Sequence, residues 1–133
     1  MPAWLDNTAT TGALDSLLAT VSSRANAIHL VTSFTPGESY ATVMARTVAN
    51  AAITSGDFSG PTSSGNDRHL TFSGKTGTAT NDATGPHDLH MVIVDGTHLL
   101  AISDESSDQN IVNGNSVVFP AFEIRALQPT SVA

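Results

Sequence analysis

Three apolar runs in the second half of the chain, Leu89–Val94, Leu99–Ile102 and Val117–Ile124, are rich in Val, Ile, Leu and Phe and are punctuated by Asp95-Gly96 and Asn113-Gly114-Asn115. Short β-branched and aromatic runs separated by Asp-Gly or Asn-Gly mark antiparallel hairpins. The pattern predicts strands at about 89–95, 98–103 and 115–126 in one sheet around which the rest of the chain is organised. In the first of these, Leu89, Met91 and Ile93 share one face and His90, Val92 and Val94 the other, so the strand is apolar on nearly both sides and belongs in a central position. Pro120 has no N–H for a ladder and predicts a bend in the last strand, with an edge left available to a neighbour. Beyond it Phe122 and Ile124 face inward, and Glu123 and Arg125 outward.

Earlier in the chain the period changes. Leu14, Leu17, Leu18 and Val21 form the stripe of an amphipathic helix over about 10–24, with Thr10 or Thr11 as N-cap, Asp15 in the first turn and Arg24 at the end. Ala27–Ser33 alternates as a strand, with Ile28 and Leu30 on one face. After the Pro36-Gly37 break, residues 38–53 fit both periods, and the reading adopted is a helical turn at 39–46 followed by a strand at about 47–53. Residues 54–68 have the composition of a long loop, 69–73 that of a strand, and 74–87 that of a second polar loop with room for a brief strand at Thr76–Thr80. The fold class expected is therefore mainly β, an antiparallel sandwich or rolled sheet with one N-terminal amphipathic helix.

Composition narrows the function. The 133 residues suit one domain, and with 5% aromatic and 13% charged residues the core must be aliphatic and the surface neutral and polar. A net charge of −7 with one lysine, Lys75, offers no basic patch, which argues against nucleic acid as a partner. No run approaches a membrane span and the start, MPAWLDNTATTG, lacks the basic region of a signal peptide, so the expectation is a cytoplasmic birthplace with no membrane partner. The absence of Cys removes disulfides and thiolate metal sites.

Catalytic motifs are approached and refused. Lys75-Thr76-Gly77-Thr78 matches a strand motif of penicillin-interacting serine enzymes, but the Ser-x-x-Lys nucleophile is missing because the chain's one lysine is already used. Ser73-Gly74-Lys75-Thr76 ends like a phosphate loop, yet His69 stands where the loop's first glycine belongs. Gly56-Asp57-Phe58-Ser59-Gly60 is out of register for a nucleophile elbow. His87 and His90 have metal-ligand chemistry, but strand residues three apart point to opposite faces. Asp104, Glu105 and Asp108 read as a solvated hairpin turn that matches no calcium loop. The expectation is a non-enzyme with no cofactor and no metal.

The segments ALDSLLATVSSRANAIHLVT, HMVIVDG, HLLAIS and VNGNSVVFPAFEI, taken as a whole pattern, resemble a family of small virion proteins of tailed bacteriophages. The resemblance covers about two-thirds of the chain, with NDATGPHD inserted ahead of the His90 strand. It implies a virion component assembled in the bacterial host cytoplasm, without fixing its place in the particle. Taken with the composition and the missing chemistry, the leading expectation is a capsid decoration or cement protein, a homo-oligomer whose loops at 54–68 and 74–87 and whose termini contact the major capsid protein or neighbouring copies. A head–tail connector or tail-tube subunit is the alternative within that class. The residues expected at the interface are Trp4, Phe58, Pro61, Lys75, His87, His90 and Pro120. A receptor- or glycan-binding module is the alternative of another class, with Trp4 and Tyr40 beside five Phe as the stacking surfaces. A small hydrolase is the third.

Overall fold

The computed structural model describes residues 7–64, 67–84, 88–104 and 109–126, and their side chains apart from 7–12, 63 and 64. Helix α1 (Asn7–Arg24) leads into β1 (Ala27–Val31), α2 (Tyr40–Met44) and β2 (Thr47–Ala52). A 3₁₀ turn at Ser55–Asp57 is followed by β3 (Phe58–Ser64), β4 (Asp67–Phe72), β5 (Lys75–Ala79), β6 (His90–Val94), β7 (Leu99–Asp104), β8 (Ser116–Phe119) and β9 (Phe122–Ala126). The architecture is mainly β, with one antiparallel sheet in the order β7-β6-β1-β2-β5-β8 and a second in the order β3-β4-β9.

Period-two alternation assigns the faces. Ile28 and Leu30 of β1 and Met91 and Ile93 of β6 turn to one side of the large sheet, where they form a continuous core with Phe72, Phe58, Phe122 and Ile124 of the small sheet. On the other side, Val31, Val92 and Val94 are covered by Val43, Tyr40 and Met44 of α2 and by Phe34. Both faces of β6 are thus buried, as its apolar pattern requires, although it has β7 beyond it rather than the sheet centre.

Helix α1 packs Leu18, with Leu14 and Val21, against Leu70 and Ala126 of the small sheet. It begins at Asn7, so Thr10 and Thr11 lie inside it instead of capping it. Leu17, expected on the apolar stripe, is 61% exposed, because the small sheet receives only the narrower row 14, 18, 21. Asp15 is likewise no first-turn residue; it accepts two hydrogen bonds from the Arg68 guanidinium, at 2.7 and 3.0 Å, and so pins the helix to β4.

Two further expectations are corrected. The described residues of the segment expected as a loop, 54–64 and 67–68, are not one: the 3₁₀ turn, closed by a reciprocal Thr54–Asp57 capping box, feeds β3, which pairs with β4 from Phe58 opposite Phe72 to Ser64 opposite Asp67. This polar strand is held by backbone pairing and by one aromatic anchor, Phe58, which hydrophobic periodicity does not register. A bulge at Gly60-Pro61 interrupts the pairing; Gly60 has φ +105°, and a Cβ there would meet the His69 carbonyl oxygen at 2.9 Å.

The segment 115–126 is not one strand in one sheet. It splits into β8, paired with β5, and β9, paired with β4. The register runs unbroken through the split, with Phe72 facing Phe122 on one side and Lys75 facing Phe119 on the other, which leaves Gly74 opposite Pro120. β4–β5 and β8–β9 therefore form one folded ribbon that belongs to both sheets, and Gly74, at φ +91°, lets the chain pass close to the Phe119 carbonyl oxygen. Pro120 makes the expected bend, and the strands on either side of it, β8 and β9, each stand at an edge of their sheet, paired on one side with β5 and β4. Nor do β7 and β8 form a hairpin across Asn113-Gly114-Asn115, because they stand at opposite edges of the large sheet.

Candidate functional site

The described residues among those expected at an interface do not converge. Phe58 is partly buried and packs against the core, its ring 5.7 Å from that of Phe72. Pro61 sits in the β3 bulge, and Pro120 at the corner of the ribbon. Lys75 donates to both oxygens of Asp57, at 3.1 and 3.3 Å. Asp57 also accepts from the Thr54 N–H, and that bond, ahead of Lys75, holds its carboxyl below the usual range. His90 lies on β6, separated from Lys75 on β5 by β1 and β2. Trp4 and His87 fall outside the described residues.

Basic charge is matched locally. All five basic side chains of the chain are paired: Arg24 with Asp95, Arg46 with Glu38, Arg68 with Asp15, Lys75 with Asp57, and Arg125 with Glu123 and Asp67. Arg46 donates to Glu38 at 2.8 Å, and this bond, with a further one from the Thr35 N–H, lowers the Glu38 pKa. Asp95 closes the β6–β7 turn by accepting from the Thr97 and His98 N–H groups, at 2.9 and 2.7 Å, which stabilise its ionised form strongly.

Three histidines stand beside threonine hydroxyls without forming a catalytic set. His69 Nε2 lies 2.9 Å from Thr62 Oγ1 and 4.0 Å from Glu123, both on the same nitrogen, while its Nδ1 is buried without a partner. His98 uses Nδ1 for Thr97, Asp95 and Arg24 alike. A nucleophile triad needs the hydroxyl and the acid on opposite ring nitrogens. His29 Nδ1 is 3.1 Å from Thr47 Oγ1 with no acid in the contact, and burial lowers its pKa.

These shifts predict a two-stage acid response. His29 resists protonation when folded, so its contribution is present at neutral pH and is lost as pH falls from about 6.5, its ordinary value, through the folded value. Glu38, Asp57 and Asp95 have depressed values, so what they contribute is retained until pH falls below the ordinary carboxylate range. Denaturant midpoints measured from pH 8 to pH 3 are expected to decline in both windows. His29→Asn, whose amide stands in for Nδ1 without titrating, is expected to flatten the upper decline only; an unchanged upper decline would disprove the assignment.

The sheet edges distinguish one strand. β3 carries the Pro61 bulge, β9 carries Glu123 and Arg125, and β8 is four residues long with its Val118 carbonyl taken by the Gln109 side chain. Proline, charge and short length are the usual guards against edge-to-edge pairing. β7, LLAISD, has none of them along Leu99–Ser103, and among the described residues no strand lies beyond it. Its side chains are half-buried, Leu100 and Ala101 toward the main core and Leu99 and Ile102 toward the α2 side, so its outer edge is mainly backbone.

One donor cluster also stands out. Asp88, His90 and Asp104 each bring a ligand-type atom to within 4.8 Å of the others. The sequence pattern puts Asp104 in a solvated turn; it is the last residue of β7 and faces His90 across the ladder.

The fold defines the chain as an antiparallel β-sandwich protein with an N-terminal helix. Comparison with known proteins finds no match to this chain among family models, curated proteins or solved structures.

Proposed function

We propose that the protein is a structural subunit of a tailed-bacteriophage particle, a capsid decoration or cement protein that lies on the shell and beside neighbouring copies, with β7 as the edge through which it pairs. The observation that carries this reading is that, among the described residues, the β7 edge is unguarded while the other sheet edges are guarded and the basic side chains are all internally paired. Strand addition supplies affinity from backbone hydrogen bonds and needs neither surface charge nor exposed aromatics. In a homo-oligomer the same edge on two copies closes about a twofold axis. The resemblance of HMVIVDG, HLLAIS and VNGNSVVFPAFEI to small virion proteins points the same way. The glycan-binding alternative has less support, because the exposed large apolar side chains among the described residues are Leu17, Val112 and Val118, none of them a stacking ring.

Mass spectrometry of purified particles of the phage that encodes this chain is expected to find it in many copies, and its absence from them overturns the reading. Copy number and particle symmetry separate shell decoration from a connector or tail-tube position. Ile102→Pro and Ser103→Pro test the edge as a pair: adjacent strand residues point their N–H groups to opposite sides, so one of the two spares the ladder to β6. That folded variant is expected to lose most of its occupancy on particles. Undiminished occupancy excludes β7 as the contact.

A further inference from the structure

We infer that Asp88, His90 and Asp104 form a binding site for a divalent transition-metal ion of the zinc type. The argument begins with the pairing of charges. Asp15, Glu38, Asp57, Asp67, Asp95 and Glu123 each contact an arginine or lysine, and Asp82 accepts a 2.8 Å hydrogen bond from the Asn113 N–H. Among the described residues the two carboxylates without a cation or an N–H partner are Asp88 and Asp104. They are also the two that converge on His90, with one donor atom from each of the three within 4.8 Å of the others. Two formal negative charges held together with no internal counter-ion raise the local affinity for a cation.

The backbone fixes this convergence. His90 and Asp104 are direct cross-strand partners on β6 and β7, so their side chains leave the same face of the sheet. Asp88 precedes His90 by two residues. Its carbonyl oxygen accepts a hydrogen bond from His90 Nδ1 at 2.9 Å, and a carbonyl can only accept, so Nδ1 carries a proton and Nε2 is the nitrogen whose lone pair the neutral imidazole offers to a ligand. A histidine with one ring nitrogen committed to a backbone carbonyl is the usual arrangement of a metal-binding imidazole. The Phe34 ring, 6.0 Å from that of His90, packs beside the imidazole and limits its rotation.

The geometry fits the ion after a small adjustment. Donors at about 2.1 Å from zinc in tetrahedral array stand roughly 3.4 Å apart. Asp88 and Asp104 are both exposed, so their carboxylates can turn inward by the required ångström without disturbing the core. An imidazole with two carboxylates suits zinc or manganese, whereas magnesium prefers an all-oxygen, water-rich shell. Three protein donors leave the remaining positions to water.

The test uses the full chain, freed of any affinity tag and stripped with a chelator, titrated with zinc by calorimetry. Saturable binding of one ion per chain is expected, together with a rise in thermal midpoint with zinc concentration, since the folded state alone assembles the donors. Asp88→Asn, Asp104→Asn and His90→Gln are each expected to weaken binding by about ten-fold or more while leaving the circular dichroism spectrum unchanged. The two Asp variants alter exposed side chains and keep the test valid if His90→Gln fails to fold. Magnesium is expected to bind at least about ten-fold more weakly than zinc. Absence of saturable zinc binding, full affinity in both Asp variants, or equal affinity for magnesium overturns the proposal.

Discussion

Phe72→Ala is expected to lower the unfolding free energy by about 3–5 kcal/mol, read as a fall in denaturant midpoint at unchanged slope. Phe72 is fully buried on the inner face of β4, and its ring lies between those of Phe58 on β3 and Phe122 on β9, at 5.7 and 5.4 Å. The same residue packs into the core built by Ile28, Leu30 and Phe119 of the other sheet, so truncation removes the contact that joins the two layers. Because a domain's whole stability is on the order of 5–15 kcal/mol, this change alone brings the protein near its unfolding threshold. Leu17→Ala is the control; its side chain is 61% exposed, and its effect is expected within about 0.5 kcal/mol apart from helix propensity. A cost below about 1 kcal/mol for Phe72→Ala would mean that the sheets do not share a core.

Gly77→Ala is expected to cost about 1–3 kcal/mol or more through overpacking. A Cβ on Gly77 would lie 2.4 Å from the Asn50 carbonyl oxygen, 2.8 Å from the Phe119 ring and 3.0 Å from the Ala51 Cβ. The first of these is backbone and cannot rotate away. The β2–β5 ladder is short, with Ala49 opposite Ala79 and Asn50 opposite Thr78, and is continued by the Thr80 and Asn81 N–H groups on the Val48 carbonyl oxygen, so moving β5 outward strains the attachment of the β4–β5/β8–β9 ribbon to β2. Gly56→Ala is the comparison, since a Cβ there meets only Thr54 Oγ1 at 3.4 Å and the backbone is not left-handed. Equal midpoints for the two variants would refute the close-packing argument. Gly77 is the glycine of the Lys-Thr-Gly-Thr run, and its close contact with β2 accounts for it by packing.

The apolar strands and α1 were legible because periodicity reports burial, and burial was the dominant local force along them. Val92, Val94, Met91 and Ile93 are all buried, as their two-sided pattern requires. β3 was illegible for the complementary reason: Phe58 is its one large apolar residue, and its pairing with β4 depends on backbone groups that every sequence carries. Of the residues that the sequence offers for an interface, Phe58, Pro61, Lys75 and His87 fall in segments of loop composition. Lys75 and Phe58 instead serve the fold itself, since an isolated lysine near an aspartate and a phenylalanine near two others find those partners first.

The candidate metal donors show the limit most clearly. The sequence shows His90 as a ligand type with His87 as the nearby partner, and its pattern puts Asp104 in a turn. A hairpin centred on Asp95-Gly96 with regular pairing would place Asp104 on the opposite face from His90. The structure has a bulge between Ile93 and Val94, with Leu100 as the extra residue on β7, and this one-residue shift brings Asp104 opposite His90. Since side chains alternate with period two, a single slip exchanges every face beyond it.

The amino-acid sequence by itself determined the mainly β class, the N-terminal helix and the inward faces of β1, β6 and β9, because each depends on apolar spacing within a few residues. Only the tertiary structure decided strand order, the division of 115–126 between two sheets at the Gly74–Pro120 corner, the pairing of every basic side chain, and the meeting of Asp88, His90 and Asp104. Those outcomes depend on which backbones become neighbours and in what register, and the hydrogen-bonding groups that settle this are the same at nearly every residue.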